Sequence, residues 1–287
     1  MLERVNSLKL ALGDGRPAIG IWCSLASAIT TEIVAGSGTD WLLIDGEHSP
    51  NDLRSILAQL QAAAAFPVEA AVRLPSDDPN LIKQAMDIGA RSLMIPNVRT
   101  AAQAKAIVAA MAYAPDGIRG FSVAQRANAY GRVKDYHANA RKQQLLVAQI
   151  ECETGVANAA EIAAVPGVDV LFVGPGDLST NMRAMGNPAA PHVQDAIASV
   201  LAAAQAQGKA TGILAPQQAD AQRYLAAGFT MVAIGSDLGL LARGSDQAGA
   251  AGRRRSWGFR GTCPALPRSR ILTRRRCRRT GGSAPLD

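Results

Sequence analysis

The residues of this chain best suited to chemistry fall into short clusters. Asp45-Gly46-Glu47-His48 puts two carboxylates and an imidazole side by side. Arg73 closes the run EAAVR, Gln149 and Glu151 flank Ile150, Gly174-Pro175-Gly176-Asp177 joins a glycine-rich turn to an acid, and Ser236-Asp237 follows MVAIG. Glu151 and Asp177 offer hard oxygen donors, which suit Mg2+ or Mn2+ with positions left open for water and substrate. As ordinary residues they would be a salt-bridge partner and, for Asp177, the cap of a helix starting at Leu178. His48 is a candidate general base, because imidazole titrates near neutral pH; a structural hydrogen bond would explain a lone loop histidine equally well. Arg73 calls for an anion, either a carboxylate-bearing substrate or its own neighbours Asp45 and Glu47. The backbone N–H groups of GPGD, at a strand-to-helix junction, can hold a small carboxylate.

Missing residues narrow the chemistry further. Residues 1–243 hold six lysines, and none closes an expected strand, where a Schiff-base lysine would stand. Imine activation of a carbonyl is therefore disfavoured, and activation by a metal takes its place. Neither a GxSxG nor a P-loop occurs. The four cysteines (Cys23, Cys152, Cys263, Cys277) form no CxxC pair, which argues against a disulfide framework or a zinc site and for a reducing, cytoplasmic setting. No run approaches the roughly 18 apolar residues of a membrane span. The opening MLERVNSLKLALGDGRP reads as a short charged amphipathic helix rather than a signal peptide.

The clusters share a position, since each ends a short apolar run. Expected strands are 18–24, 41–47, 69–75, 92–98, 145–151, 168–174, 210–215 and 231–237. Between them lie Ala- and Leu-rich segments with apolar residues returning every three or four positions, begun by Pro50-Asn51 or Pro79-Asn80. Continuous apolar strands separated by helices predict a parallel sheet covered on both faces. Eight such units in about 240 residues predict an α/β fold of the (β/α)8 TIM-barrel type, a single domain over 1–243. A doubly wound open sheet is the alternative, but no GxGxxG follows the first strand. In a barrel the strand ends gather on one face, which brings the His, the Arg and the carboxylates together.

The net charge of +7 is unevenly spread. Residues 1–243 carry 19 Lys and Arg against 21 Asp and Glu, whereas residues 244–287 carry 11 Arg against 2 Asp. The segment 244–287 shows no sustained period and is rich in Arg, Gly, Pro and Ser, which predicts disorder. Such a basic segment suits an anionic surface or nucleic acid. An out-of-frame replacement of an original C-terminal helix explains it better, because it holds one aromatic pair, Trp257 and Phe259, and no folded binding motif.

The runs WLLIDGEHSPND, GIRGFSVAQRAN, VAQIE and FVGPGDLS closely resemble the HpcH/HpaI family of class II pyruvate-dependent aldolases, in order and with matching spacing from about residue 5 to about 243. Within the family, GIRGFSVAQRANAYG and GILAPQQADAQRYLAAGFTMVAIGSDLG look most like members that cleave 2-dehydro-3-deoxyglucarate, with those acting on 4-hydroxy-2-oxoheptanedioate next. The resemblance implies a metal-dependent lyase that releases pyruvate and an aldehyde from 4-hydroxy-2-oxo acids. It matches Glu151 and Asp177 to the ligands of Mg2+ or Mn2+ (Co2+ is a further candidate). It matches Arg73 to the residue stabilising the enolate, His48 to the base, and Asp87, in IKQAMDIG, to the carboxylate that raises the basicity of His48. Gln149 and the backbone at Gly176 and Asp177 match substrate contacts, and Trp22 and Asp45 match positions near the aldehyde end. Small 2-oxo acids and aldehydes are the implied partners, with neither nucleic acid nor membrane. A homohexamer is also implied, although LGLLARGSDQAGAAGRRR begins the family's closing helix and then loses its pattern. A related CoA-ester lyase, or a barrel that binds ligand without catalysis, stays open beside this reading.

Overall fold

The computed structural model of the chain describes residues 5–255. In chain order it runs α1 (Ser7–Gly13), β1 (Ala18–Cys23), α2 (Ala28–Ala35), β2 (Trp41–Asp45), α3 (Leu53–Ala63), β3 (Glu69–Arg73), α4 (Pro79–Asp87), β4 (Ser92–Ile95) and α5 (Ala101–Met111). After a single 3-10 turn at Arg126–Asn128 come α6 (Tyr136–Gln143), β5 (Leu145–Ile150), α7 (Glu153–Ala157), α8 (Ala159–Ala163), β6 (Val170–Val173) and α9 (Pro175–Asn181). Then follow α10 (Pro191–Ala206), β7 (Ala210–Leu214), α11 (Gln218–Ala227), β8 (Met231–Ser236) and α12 (Asp237–Arg255). The strands pair in parallel with their sequence neighbours, and β8 returns to β1 through Ala18↔Met231. The result is the (β/α)8 barrel that the alternation predicts.

Each strand stops short of its expected C-terminal bound, β4 most of all, at Ile95. After β4 comes Pro96, which has no N–H to give the ladder, and Asn97 adopts a left-handed φ of 52° that no strand accommodates. Helix starts follow capping chemistry. Asp78 accepts from the N–H groups of Asn80 and Leu81 ahead of Pro79. Asp52 and Ser55 form a reciprocal capping box, so α3 starts later than Pro50-Asn51 suggests. Asn51 instead donates to the carbonyl of Asp45 at 2.7 Å and pins the loop after β2.

The barrel interior is filled by large side chains facing small ones. Trp22, Trp41 and Phe172 pack with centroids 5.7–6.4 Å apart. A Cβ at Gly20 would stand 2.2 Å from Trp41, and one at Gly212 2.3 Å from Phe172, so glycine there is a packing requirement. Leu8 and Leu12 of α1 join this interior cluster and plug the N-terminal end of the barrel. Asn6 Nδ2 fastens the plug by donating to Ser92 Oγ and Gln143 O, both at 2.9 Å. A second layer of buried Val, Ile, Leu and Ala lies between strands and helices.

The chain divides into a compact unit of residues 1–246 and a second unit of 247–287. Helix α12 continues past residue 243 to Arg255, which departs from the disorder expected there. Its last turns are rich in Ala and Arg, two strong helix formers, which offsets the four glycines of the helix. The rest of the Arg-rich segment, with Trp257, Phe259, Cys263 and Cys277, lies outside the described residues. Among the described residues no helix is long and apolar enough to cross a membrane.

Candidate active site

At the C-terminal end of the barrel, Arg73 is buried and grips two acids. Its Nε donates to Asp45 Oδ1 at 2.9 Å and its Nη2 to Asp45 Oδ2 at 2.6 Å, while Nη1 stands 2.9 Å from Glu47 Oε2. Its Cζ lies 5.3 Å from the Trp22 ring centroid, so Trp22, itself buried, forms a floor under the guanidinium. Both neighbours considered for Arg73 in the sequence are thus its partners. Burial by itself would raise the Asp45 carboxyl, but the hydrogen bonds and charge of Arg73 hold it below the usual carboxylate range. Asp45 Oδ1 also accepts from the N–H groups of Glu47 at 3.0 Å and His48 at 3.3 Å, which shapes the loop that carries His48.

Glu47, His48, Glu151 and Asp177 line one cleft of about 310 Å³, together with Asn97, Arg99, Cys152, Thr180 and Asn181. Glu151 closes β5 and is buried; burial first, then the charges of Asp177 and Glu47, push its carboxyl up to about 7. Gln149 Nε2 donates to Glu151 Oε2 at 2.7 Å, and Gln149 Oε1 is buried without a hydrogen-bond partner. Gly174 lies directly against this pair: a Cβ there would come within 2.8 Å of both Gln149 Nε2 and Glu151 Oε2. Asp177 sits inside the first turn of α9, which starts at Pro175, and makes no cap hydrogen bond, contrary to its expected alternative as a helix cap. The N–H groups of Gly176 and Asp177, in that turn, have no acceptor within the helix. The His48 ring is exposed and its nitrogens meet no partner among the described residues.

Three carboxylates around one cleft, with Arg73 behind them, fit a hard divalent cation. Among the described residues no three His, Cys, Asp or Glu side chains converge on one metal position. A pair of carboxylates with the other positions left to water and substrate is, however, a common arrangement for Mg2+. Glu151 and Asp177 are the pair that would hold it. A larger cavity of about 600 Å³ lies by the N-terminal ends of β3, β4 and β5, lined in part by Leu60, Met86 and Arg126, away from these groups.

Two residues singled out from the sequence lie elsewhere or do other work. Asp87 ends α4, which runs back from the C-terminal end of β3 toward the start of β4. It therefore sits at the N-terminal end of the barrel, where Arg119 Nη2 donates to it at 2.7 Å. It cannot support His48 within one chain. Asp237 is buried and accepts from Ser24 N at 2.8 Å, Leu25 N at 3.3 Å and Thr30 Oγ1 at 3.2 Å, which staples β8 to the loop after β1. Asn97 and Arg99 are cleft residues that sequence reasoning missed, because the expected strand 92–98 ran through that loop. The dipeptide Pro96-Asn97 was the available signal for a turn.

The profile of the HpcH/HpaI aldolase/citrate lyase family matches residues 18–244. The chain belongs to that family. A 5-keto-4-deoxy-D-glucarate aldolase from Salmonella arizonae is 46% identical over 242 residues, 84% of this chain and 94% of that relative. A hydroxypyruvate/pyruvate aldolase from Chromohalobacter salexigens is 51% identical over 237 residues, 82% of this chain and 93% of its own. Among solved structures, an HpcH/HpaI aldolase/citrate lyase family protein from Burkholderia cenocepacia superposes with a TM-score of 0.85 at 41% identity, covering 87% of this chain and all of that one. This HpcH/HpaI protein is accordingly an enzyme, an aldolase of the lyase class.

Proposed function

We propose that the enzyme reversibly cleaves 4-hydroxy-2-oxo acids to pyruvate and an aldehyde with the help of a divalent cation. A 2-dehydro-3-deoxyglucarate-type hexarate, giving tartronate semialdehyde, is the leading substrate. The observation that carries this reading is the single cleft lined by His48, Glu47, Glu151 and Asp177 with Arg73 fixed behind it. The relatives support the substrate class. Numbered from its other carboxyl, a 5-keto-4-deoxyhexarate is a 2-oxo acid with a deoxygenated third and a hydroxylated fourth carbon. That is the pattern needed for cleavage between the third and fourth carbons.

Glu151 and Asp177 would hold Mg2+ or Mn2+ (or Co2+), which when bound supplies Lewis-acid polarisation of a keto oxygen. Gln149 and the N–H groups of Gly176 and Asp177 orient the pyruvate end at the first turn of α9. Arg73, immobilised by Asp45, brings a fixed positive charge to the side where negative charge develops as the C–C bond breaks. His48 accepts the proton of the 4-hydroxyl, its oxygen becomes the aldehyde carbonyl, and the bonding electrons remain on the three-carbon fragment until a proton returns to its methylene carbon. Trp22 and Asp45 hold Arg73 and the His48 loop in place on the aldehyde side. Asp87 acts on His48 only if a neighbouring copy of the chain brings its α4 end to the cleft, which accords with the homohexamer implied by resemblance.

A second reading is favoured by the 51% identity to a hydroxypyruvate/pyruvate aldolase: the same site working on hydroxypyruvate. Cleavage of 4-hydroxy-2-oxoheptanedioate to pyruvate and succinate semialdehyde is a third. Pyruvate release from a panel of 4-hydroxy-2-oxo acids, before and after chelation and re-addition of Mg2+ or Mn2+, tests the proposal. Cation-dependent release is expected. Undiminished turnover after complete chelation would overturn the metal assignment, and no pyruvate from any member would overturn the reaction.

A further inference from the structure

The arginine that lines the cleft is Arg99, not Arg73. It lies in the loop after β4, exposed, and that loop is built to hold it. Asn97, in its left-handed conformation, accepts from Arg99 Nε at 2.9 Å. Gln103 Oε1 accepts from the Arg99 N–H at 2.8 Å, and Asn158 Nδ2 donates to its carbonyl at 2.8 Å. The side chain is thus fixed at its Nε and its backbone at both polar groups. Its two terminal nitrogens meet no hydrogen-bond or ion-pair partner among the described residues, whereas Arg73 has every arm of its guanidinium engaged by Asp45 and Glu47.

The remaining charge around the cleft is acidic. Glu47, Glu151 and Asp177 line it, and only Arg99 and His48 supply basic groups. A substrate with a second carboxylate beyond its 4-hydroxyl would meet repulsion there unless a cation received it. A guanidinium held at Nε with its two terminal nitrogens open presents a fork that matches a carboxylate in two parallel hydrogen bonds. We propose that Arg99 is a specificity-determining residue, which binds the distal carboxylate of a dicarboxylic 4-hydroxy-2-oxo acid and so selects aldehydes bearing an acid group.

This inference rests on the proposed aldolase reading, and its test separates the two. Pyruvate release would be compared for a 2-keto-3-deoxyhexarate, whose tail is charged, and for 4-hydroxy-2-oxopentanoate, whose tail is a methyl group. The readout is the ratio of the two kcat/KM values in the wild type, Arg99→Gln and Arg99→Lys. Loss of a charge-assisted hydrogen-bonded pair predicts a ratio that falls roughly tenfold to a hundredfold in Arg99→Gln, through KM more than kcat, with partial recovery in Arg99→Lys. Thermal melting of both variants checks that the exposed loop tolerates the change. An unchanged ratio, whether both rates fall together or neither moves, would overturn the inference while leaving the aldolase reading intact. A wild type that releases pyruvate from neither substrate would overturn that reading and this inference with it.

Discussion

At the N-terminal end of β3, Glu69 accepts from Arg91 Nε at 2.9 Å and Nη2 at 2.6 Å, with Ser92 Oγ at 3.2 Å. Four residues on, at the other end of the same strand, Arg73 holds Asp45 with nearly the same bidentate geometry. The surroundings differ. Among the described residues, one acid meets one base around Glu69, and the nearby Lys9–Asp169 pair at 3.1 Å and the Arg119–Asp87 pair at 2.7 Å are matched in the same way. Around Arg73 one base serves Asp45 and Glu47 with Glu151 and Asp177 beyond them, so negative charge is in excess. The balanced end holds the barrel together. The unbalanced end stores an electrostatic deficit that a cation or a cationic transition-state contact can fill.

Breaking the unbalanced end should cost activity most. Glu151→Gln removes a proposed metal ligand while keeping the shape, and kcat/KM for pyruvate release should fall on the order of 10³-fold with little change in melting temperature. A variant within tenfold of wild type would show that the acid excess at this end is not catalytic.

Arg73→Met should damage both properties, since it removes the positive charge and leaves Asp45 buried and unpaired. A loss of roughly 10²–10³-fold in kcat and about 3–5 kcal/mol in stability is expected. The pH dependence sharpens this. In the wild type the lowered Asp45 carboxyl contributes stability that is present above its unfolded pKa of about 3.9 and lost as pH falls through its lower folded value. Without Arg73, burial dominates and raises that carboxyl, so the acid loss should start at higher pH. Urea unfolding at pH 7 and pH 5 measures it, and superimposable acid limbs would remove Asp45 from the account.

Arg91→Met makes the matching change at the balanced end. Stability should drop by about 1–3 kcal/mol as Glu69 loses its charged partner, with kcat within roughly twofold of wild type. A large fall in kcat would erase the contrast between the two ends. The smallest effect concerns Cys23, which closes β1 toward the functional end yet takes no part in the proposed chemistry. Burial, then the charge of Asp237, pushes its thiol up to about 12. At pH 8 only about one molecule in ten thousand then carries the thiolate. Site-resolved mass spectrometry after alkylation should find Cys23 unlabelled in the folded protein and labelled in urea; rapid native labelling would mean the barrel mouth opens.

Much of this architecture was legible in the residues themselves. Alternating apolar runs and helical spacing specify local structure, and local structure repeated eight times closes a barrel, so the strand ends and their polar clusters followed. The Arg73 alternatives were legible as well, because Asp45 and Glu47 end the neighbouring strand. The alternative of Asp177 as a helix cap fails because Pro175, two residues earlier, already starts α9. Asn97 was lost inside a strand drawn slightly too long, and Arg99, the residue just after that strand, went unread with the same loop.

Period determined the barrel and the face that carries the polar residues, and the motif strings carried the family resemblance, since each depends on neighbours along the chain. Tertiary structure alone decided which charges meet. It put Asp87 at the far end with Arg119, used Asp237 as a staple, and left Arg99 at the cleft with a free fork. Pairing depends on distance through space between residues tens of positions apart, and no periodicity along the chain encodes that distance.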